Sequence, residues 1–284
     1  MNMWRMSIWF CLVLVIGCTS LGQVQRPAAE TTPAAVNAVR DDCADIKARL
    51  CRDFGDKVPR QWGEAVDGVL TRLSTDQNVI ALTLDACGSP RGSGYDAELI
   101  NFLEQEQVSA TLFINSRWIL ANPDAFRALA RTPLFEIANH GLLHKPCSVT
   151  GRSAYGIQGT ATVADLVDEI EINGRMINDL TGHRPAFYRP GTAYSDEIGV
   201  KIAMALGYTV AGFSVLGDAG ATYTREQVRD ALLAAPPGAI VILHMNHPEG
   251  QTCRGVMDAI PELKKRGVRF VTLSEGVLLE RVHP

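Results

Sequence analysis

The chain reads as an α/β protein: a parallel sheet with helices outside it, curled towards a barrel. Two observations lead there. From Val79 onward, short runs of strand-forming residues alternate with stretches of helical period, giving about seven strands with no internal repeat. That count exceeds what a small doubly wound domain needs, which favours barrel-like closure over an open sheet. The 284 residues, 46% of them hydrophobic, suffice for one large domain with a sizeable core. Lys and Arg number 27 against 31 Asp and Glu, and no basic run stands out, which argues against a nucleic-acid partner.

Residues 1–18 read as an export signal. Arg5 supplies a thin positive start, Ile8 to Ile16 an apolar run, and Val15-Ile16-Gly17-Cys18 a small-residue cleavage site. The tetrapeptide also looks like a bacterial lipobox, with Cys18 as the lipid-carrying residue and so a membrane anchor. An ordinary secretory signal cut a few residues later is the alternative. Either way the mature protein is expected outside the cytoplasm, in the periplasm or cell envelope. Residues 19–40, small, polar and spotted with proline, read as a flexible tether. Residues 41–78 hold two weakly amphipathic stretches, Asp42 to Arg52 and Trp62 to Leu73, expected as helices capping the start of the domain.

Val79 to Leu84 is a short apolar strand ending at Asp85. Tyr95 to Gln105 has a helical period, Ala110 to Ile114 is β-rich, and Asp124 to Arg131 is a helix entered through Asn122-Pro123. Leu134 to Ala138 is the third strand, followed by a Gly/Ser/Tyr-rich loop from Thr150 to Thr160 and a long helix from Val163 to Leu180. Phe187-Tyr188 forms a very short strand, Asp196 to Leu206 a helix ended by Gly207, Tyr208 to Phe213 a strand, and Arg225 to Leu233 a helix. Ala239 to Leu243 is a fully apolar strand. Gly255 to Arg266 is a helix, Val268 to Leu273 the last strand, and a terminal helix follows.

Parallel β/α sheets carry their ligand sites at the carboxyl ends of the strands. The residues just past these strands are reactive ones: Asp85, Asn139 with His140, Arg189, Asp218 and His244. A random scatter of charges would fall at both ends of the strands. His140 and His144, four residues apart, place two imidazoles on one face if the turn is helical, a pairing that recurs at zinc sites. Unrelated loop histidines are the plain alternative. Asp85 could equally be a helix cap, Arg189 a surface salt-bridge residue and Asp218, beside Gly217 and Gly220, a turn residue. His247 reads more simply as a loop histidine than as a second ligand, and His183 needs no function.

Five segments resemble, in order and spacing, the motifs of the polysaccharide deacetylases, the NodB-homology or family 4 carbohydrate esterases. They are Leu82-Thr-Leu-Asp85-Ala-Cys-Gly88, His140-Gly-Leu-Leu-His144, Tyr188-Arg189-Pro190-Gly191, Val215-Leu-Gly-Asp218 and Ile240-Val-Ile-Leu-His244. The resemblance implies a distorted (β/α)7 barrel over residues 79–281 that removes N-acetyl groups from a glycan such as peptidoglycan or an exported polysaccharide. It implies one divalent ion, usually zinc, on His140 and His144, with Asp85 as general base oriented by Arg189. His244 would protonate the leaving amine, supported by Asp218, and the backbone at Gly191 and Thr192 would face the oxyanion.

One position departs from the pattern. Ala86 stands where the family has its metal-ligand aspartate, and catalytic zinc sites normally have three protein ligands. The expectation is that Asp85 completes the set and that Cys87 is structural. Asn139 and a Cys87 thiolate are the other donors within reach. Export makes disulfides plausible, with Cys43–Cys51 and Cys87–Cys147 as candidate pairs. The departure also admits a non-catalytic glycan-binding lipoprotein on the same fold, and related barrels cleave cyclic amides of small molecules.

Overall fold

The computed structural model describes residues 33–89 and 92–282. The chain divides into residues 1–40 and a body from Asp41 to Pro284. The export signal, Cys18 and the side chain of Cys43 lie outside the described residues. Helix α1 (Pro33–Phe54) starts inside the stretch read as a tether.

In the body, β1 (Val79–Ala86), α2 (Ala97–Gln105), β2 (Ala110–Ile114), α3 (Ser116–Ala121), α4 (Pro123–Leu129) and β3 (Phe135–Asn139) come first. A small hairpin follows, β4 (Ser153–Ala154) with β5 (Ile157–Gln158), inside the segment expected to be a loop. Then come α5 (Val163–Thr181), β6 (Phe187–Tyr188), α6 (Glu197–Ala205), β7 (Thr209–Val210), β8 (Val215–Leu216), α7 (Arg225–Leu233), β9 (Ala239–His244), α8 (Thr252–Lys265), β10 (Arg269–Val271) and α9 (Leu273–Val282). Four of these helices, α2, α5, α6 and α7, start at side-chain caps that the sequence supplies: Asp96, Thr162 and Asp196 accept from backbone N–H groups, and Thr224 forms a capping box with Gln227.

The main sheet has eight parallel strands in the order β7-β6-β3-β2-β1-β9-β8, with β10 beside β1. Strand β1 is its centre. β9 runs along one edge, while β10 and β2 share the other, β10 at the start and β2 at the end. Strand β1 is buried on both faces, and its alternation sorts two cores. Ile80, Leu82, Leu84 and Ala86 face the helix layer with Leu112, Ile114, Trp118 and Leu243. Val79 and Ala81 face the interior of the curled sheet with Phe113, Ala138, Phe187, Ala211 and Ile240.

The sheet is curled but not closed: among the described residues, β7 and β8 are its end strands and do not pair with each other. Residues 70–73 take up the seam. Leu70 N–H donates to Val210 O, Gly212 N–H to Leu70 O, and Leu73 N–H to Gly238 O. This corrects the expected helix from Trp62 to Leu73, which is irregular and carries single β-bridges at Gly63, Leu70 and Arg72. Backbone groups at a sheet edge need partners, and pairing there outweighs a weak local helical period. Short strand β8 and helix α3 were likewise not anticipated.

Leu73 is fully buried at this seam, and a Cβ on Gly276 would press 2.5 Å from it. Leu73→Ala should therefore lower unfolding stability by about 2–5 kcal/mol in urea titrations, the range for emptying a packed leucine site.

Candidate active site

The register of the central strands brings the first two groups together. In the parallel ladder Asp85 lies opposite His244 on β9 and Phe113 on β2. Residues 83 and 85 project to the interior face, where both meet Arg189. The Arg189 guanidinium is fully buried. It donates from Nη1 to Asp85 Oδ1 at 2.8 Å and to Thr83 Oγ1 at 2.9 Å, from Nε to Ala211 O at 3.2 Å, and from Nη2 to Gly212 O at 2.8 Å. It also lies 4.2 Å from the centroid of the Phe113 ring. Burial pushes the Asp85 carboxyl up, but the charges of Arg189, His140 and His244 overcome this and hold it below its usual value.

His140 follows β3, and its Nδ1 lies 2.8 Å from the carbonyl oxygen of Arg189. A carbonyl only accepts, so Nδ1 carries a proton there, and Nε2 is the ring nitrogen turned to the other site groups. That nitrogen lies 3.6 Å from Asp85 Oδ2 and 3.7 Å from Cys87 Sγ. The His144 ring stands edge-on to His140, 4.8 Å between centroids. The donor atoms of Cys87, His140 and His144 all lie within 4.8 Å of one another. Imidazole lone pairs beside an ionisable thiol and a carboxylate are a donor set that fits a divalent ion.

The loop that carries His144 is held by a residue the sequence did not mark. Glu169 on α5, almost wholly buried, accepts from the N–H groups of Leu143 at 3.0 Å and Lys145 at 3.1 Å. Its sequence trace is an acidic residue between apolar positions of α5, where Glu171 and Asn173 are also buried. His144 has φ +61°, and a Cβ on Gly191 would come within 2.0 Å of its carbonyl oxygen, so Gly191 is needed for close approach of the two loops. Asn139, considered as a weak ligand, is committed elsewhere: Oδ1 accepts from Gly141 N–H and Asn173 Nδ2, and Nδ2 donates to Ile170 O.

His244 ends β9. Its Nδ1 lies 2.8 Å from Asp218 Oδ1, while Asp218 Oδ2 accepts from the His244 backbone N–H at 2.7 Å and from Thr252 Oγ1 at 2.9 Å. Burial works against the protonated ring, yet the Asp218 charge and hydrogen bond, with Cys87 adding to them, raise the His244 pKa well above the ordinary value. His247 is paired with exposed Glu249 at 2.8 Å and lies at the rim.

These groups line a cavity of about 450 Å³. Asp85, Cys87, His144 and His244 lie along it, Thr192 and Ala193 come from the turn after Arg189, and Phe213, Leu216 and Ile157 supply apolar wall. The buried Thr192 hydroxyl has no hydrogen-bond partner among the described residues. Tyr155, at the hairpin tip, donates to Glu64 Oε1 at 3.1 Å and packs on Tyr194, which in turn meets Trp62.

The candidate disulfide between Cys87 and Cys147 is not formed; both are free thiols, as are Cys51 and Cys253. Cys87 lies against His140, whereas Cys147 is buried among Tyr188, Ile198 and Val200 on the helix side, where burial pushes its thiol pKa far up. For Cys87, burial opposes ionisation, but the charge of His144 and hydrogen bonds from His140, His144 and His244 prevail and hold it well below the usual thiol value.

Proton donors and acceptors are thus paired at a strand-end pocket of a curled parallel sheet. A family model, Polysaccharide deacetylase, matches residues 72–211. A peptidoglycan-N-acetylglucosamine deacetylase of Bacillus cereus is 26% identical over 211 residues, covering 73% of this chain and 92% of its own length. A second B. cereus protein of that name is 27% identical over 240 residues, 78% of this chain and 76% of its own. The fold is shared with the family 4 carbohydrate esterase PdaA of Bacillus subtilis, with a TM-score of 0.61, 22% identity and coverage of 82% and 89% of the two chains. It is also shared with a family 4 pseudoenzyme of Bacillus anthracis, TM-score 0.63, 20% identity, covering 75% and 70%. Residues 72–211 are thereby identified as a polysaccharide deacetylase domain. The matched segment ends before Asp218, which follows β8, and His244, which ends β9.

Asp218→Asn should lower the His244 pKa towards the ordinary histidine value, because the raised pKa depends on the carboxylate charge. His244 would then lose its proton at lower pH, and NMR titration of its ring should show the midpoint move down by at least about one unit, equivalent to roughly 1.4 kcal/mol.

Proposed function

We propose that this protein hydrolyses the acetamido group of N-acetylglucosamine units in an envelope glycan, with peptidoglycan as the favoured substrate and a divalent ion, zinc by preference, as cofactor. The observation that carries this reading is Asp85, held ionised by buried Arg189, in one pocket with His144 and His244, with Asp218 paired behind His244 and His140 Nε2 3.6 Å from Asp85 Oδ2. His140 and His144 would hold the ion. When bound, the ion polarises the amide carbonyl and acidifies a water.

The chain's own groups supply the proton traffic. Asp85, anionic and without a proton to lose, accepts one from the attacking water. Arg189 fixes which Asp85 oxygen stays free, because Oδ1 is occupied. His244, protonated through Asp218, donates from its free ring nitrogen to the amine nitrogen as the C–N bond breaks. Acetate and a free amino sugar result. Backbone N–H groups of the turn at Gly191 and Thr192, with the Thr192 hydroxyl beside the pocket, would meet the negative charge that develops on the carbonyl oxygen. Tyr155, Ile157 and Leu216 offer apolar surface suited to the face of a sugar ring.

Work outside the cytoplasm is supported by the peptidoglycan named for the B. cereus relatives and by the signal-like residues 1–18. Lipidation at Cys18 rests on the Val15–Cys18 tetrapeptide alone. Among the described residues no helix is long and apolar enough to cross a membrane.

A second reading, a glycan-binding protein without catalysis, is favoured by Ala86 and by the fold shared with a pseudoenzyme. Acetate release from N-acetylglucosamine oligomers and from peptidoglycan separates the two. The zinc-supplied protein should release acetate, and Asp85→Asn should lower kcat by about 100- to 10,000-fold, the usual contribution of a positioned base. Binding of the oligomer with no acetate released by zinc-supplied wild type would establish the second reading instead.

A further inference from the structure

We infer that the Cys87 thiolate is the third protein ligand of the metal, replacing the aspartate that Ala86 lacks, and that the site is selective for ions that accept sulfur. This rests on His140 and His144 being ligands, and it moves the third position away from Asp85.

The period of β1 explains how the replacement works. Alternation along the strand sends Thr83 and Asp85 to the interior, while Leu84 and Ala86 pack under the helices. Ala86 is fully buried in that helix-side core, so no polar group is left at its position. Cys87 then lines the same pocket as Asp85. The neighbouring Gly88 has φ +66°, and a Cβ there would meet Trp118 N at 2.4 Å, so the backbone just past Cys87 is pinned against α3.

Distances agree with a shared ion. A tetrahedral zinc with sulfur at about 2.3 Å and nitrogen at about 2.05 Å separates those two atoms by about 3.6 Å. Cys87 Sγ and His140 Nε2 are 3.7 Å apart. The buried His140 ring has its Nδ1–H spent on the Arg189 carbonyl, which leaves Nε2 facing the thiol. Among the described residues, the donor atoms that converge are those of Cys87, His140 and His144. Asp85 is committed through Oδ1 to Arg189, and proton transfer needs its other oxygen.

Charge is conserved by the exchange. A thiolate brings one negative charge, as a carboxylate would, so the net charge of an ion with two imidazoles is unchanged. Softness is not conserved: sulfur with two imidazoles suits Zn²⁺ and Co²⁺, and disfavours Mg²⁺ and Mn²⁺, which prefer oxygen.

Cobalt titration of the full chain, stripped with chelator and kept reduced, tests this. Wild type should develop visible bands of four-coordinate Co²⁺ together with a near-ultraviolet sulfur-to-cobalt charge-transfer band, and zinc should abolish both. Cys87→Ser should lose the near-ultraviolet band and weaken zinc at least as much as loss of an outer-shell partner would, about 10- to 100-fold. Cys87→Asp should restore binding and the visible bands without the charge-transfer band, showing that the first variant is folded and that position 87 is the ligand. Cys51→Ser should leave the spectrum as in wild type. Visible bands without charge transfer in wild type would overturn the thiolate ligand while leaving the metal on its histidines. A wild type that binds neither cobalt nor zinc would remove both the thiolate ligand and the metal-dependent reaction.

Discussion

The site depends on one buried guanidinium. Arg189 has no access to solvent, so its charge must be met inside the protein. Asp85 meets it, with Thr83 and the carbonyls of Ala211 and Gly212 taking the remaining donors. Those partners lie on β1 and just past β7, so a single side chain ties the central strand to the far end of the curled sheet. The carbonyl of the same residue accepts from His140 and sets its tautomer. Asp85 and the His140 imidazole are therefore oriented by two ends of one residue. Removing one partner of such a buried pair typically costs about 3–5 kcal/mol, which places the fold and the chemistry under the same constraint.

A second constraint is backbone proximity. The loop of His140 to Cys147 has no regular structure of its own, and its shape comes from outside it. Glu169 collects two N–H groups from it, Leu142 N–H donates to Glu169 O, and Gly191 lets the Arg189 turn pass against His144. Cys147 N–H and O are bound to Tyr194 and Asp196. The histidines are thus placed by α5 and by the turn after β6, not by a helical repeat. Their four-residue spacing suggests a helix, yet His144 has φ +61°. The pair converges through a tight left-handed turn instead.

The pocket wall joins parts of the chain that carry no catalytic group. Glu64 from the N-terminal segment meets Tyr155 on the hairpin, and Tyr155, Tyr194 and Trp62 form a chain of edge and tilted ring contacts. The residues of that segment also fill the seam between β7 and β9, at Leu70 and Leu73. One stretch, read from sequence as an accessory helix, so serves both closure of the sheet and the edge of the cavity.

The sequence by itself determined the parallel α/β class, most element positions and the row of reactive residues past the strands, because strand alternation and helical period are local properties. Asp85, His140, Arg189, Asp218 and His244 were legible for the same reason: a residue type at a strand end is visible without knowing its neighbours. Only the tertiary structure decided which of them meet. The seam pairing of residues 70–73, the clamp by Glu169 and the full commitment of Asn139 are long-range hydrogen bonds, for which local pattern holds no record. Cys87 shows the difference most directly. Export and cysteine count suggest a disulfide with Cys147, but the alternation of β1 carries Cys87 to the pocket, while Cys147 is buried on the other side of its loop. Where a side chain points depends on strand register, and register is settled by the whole sheet.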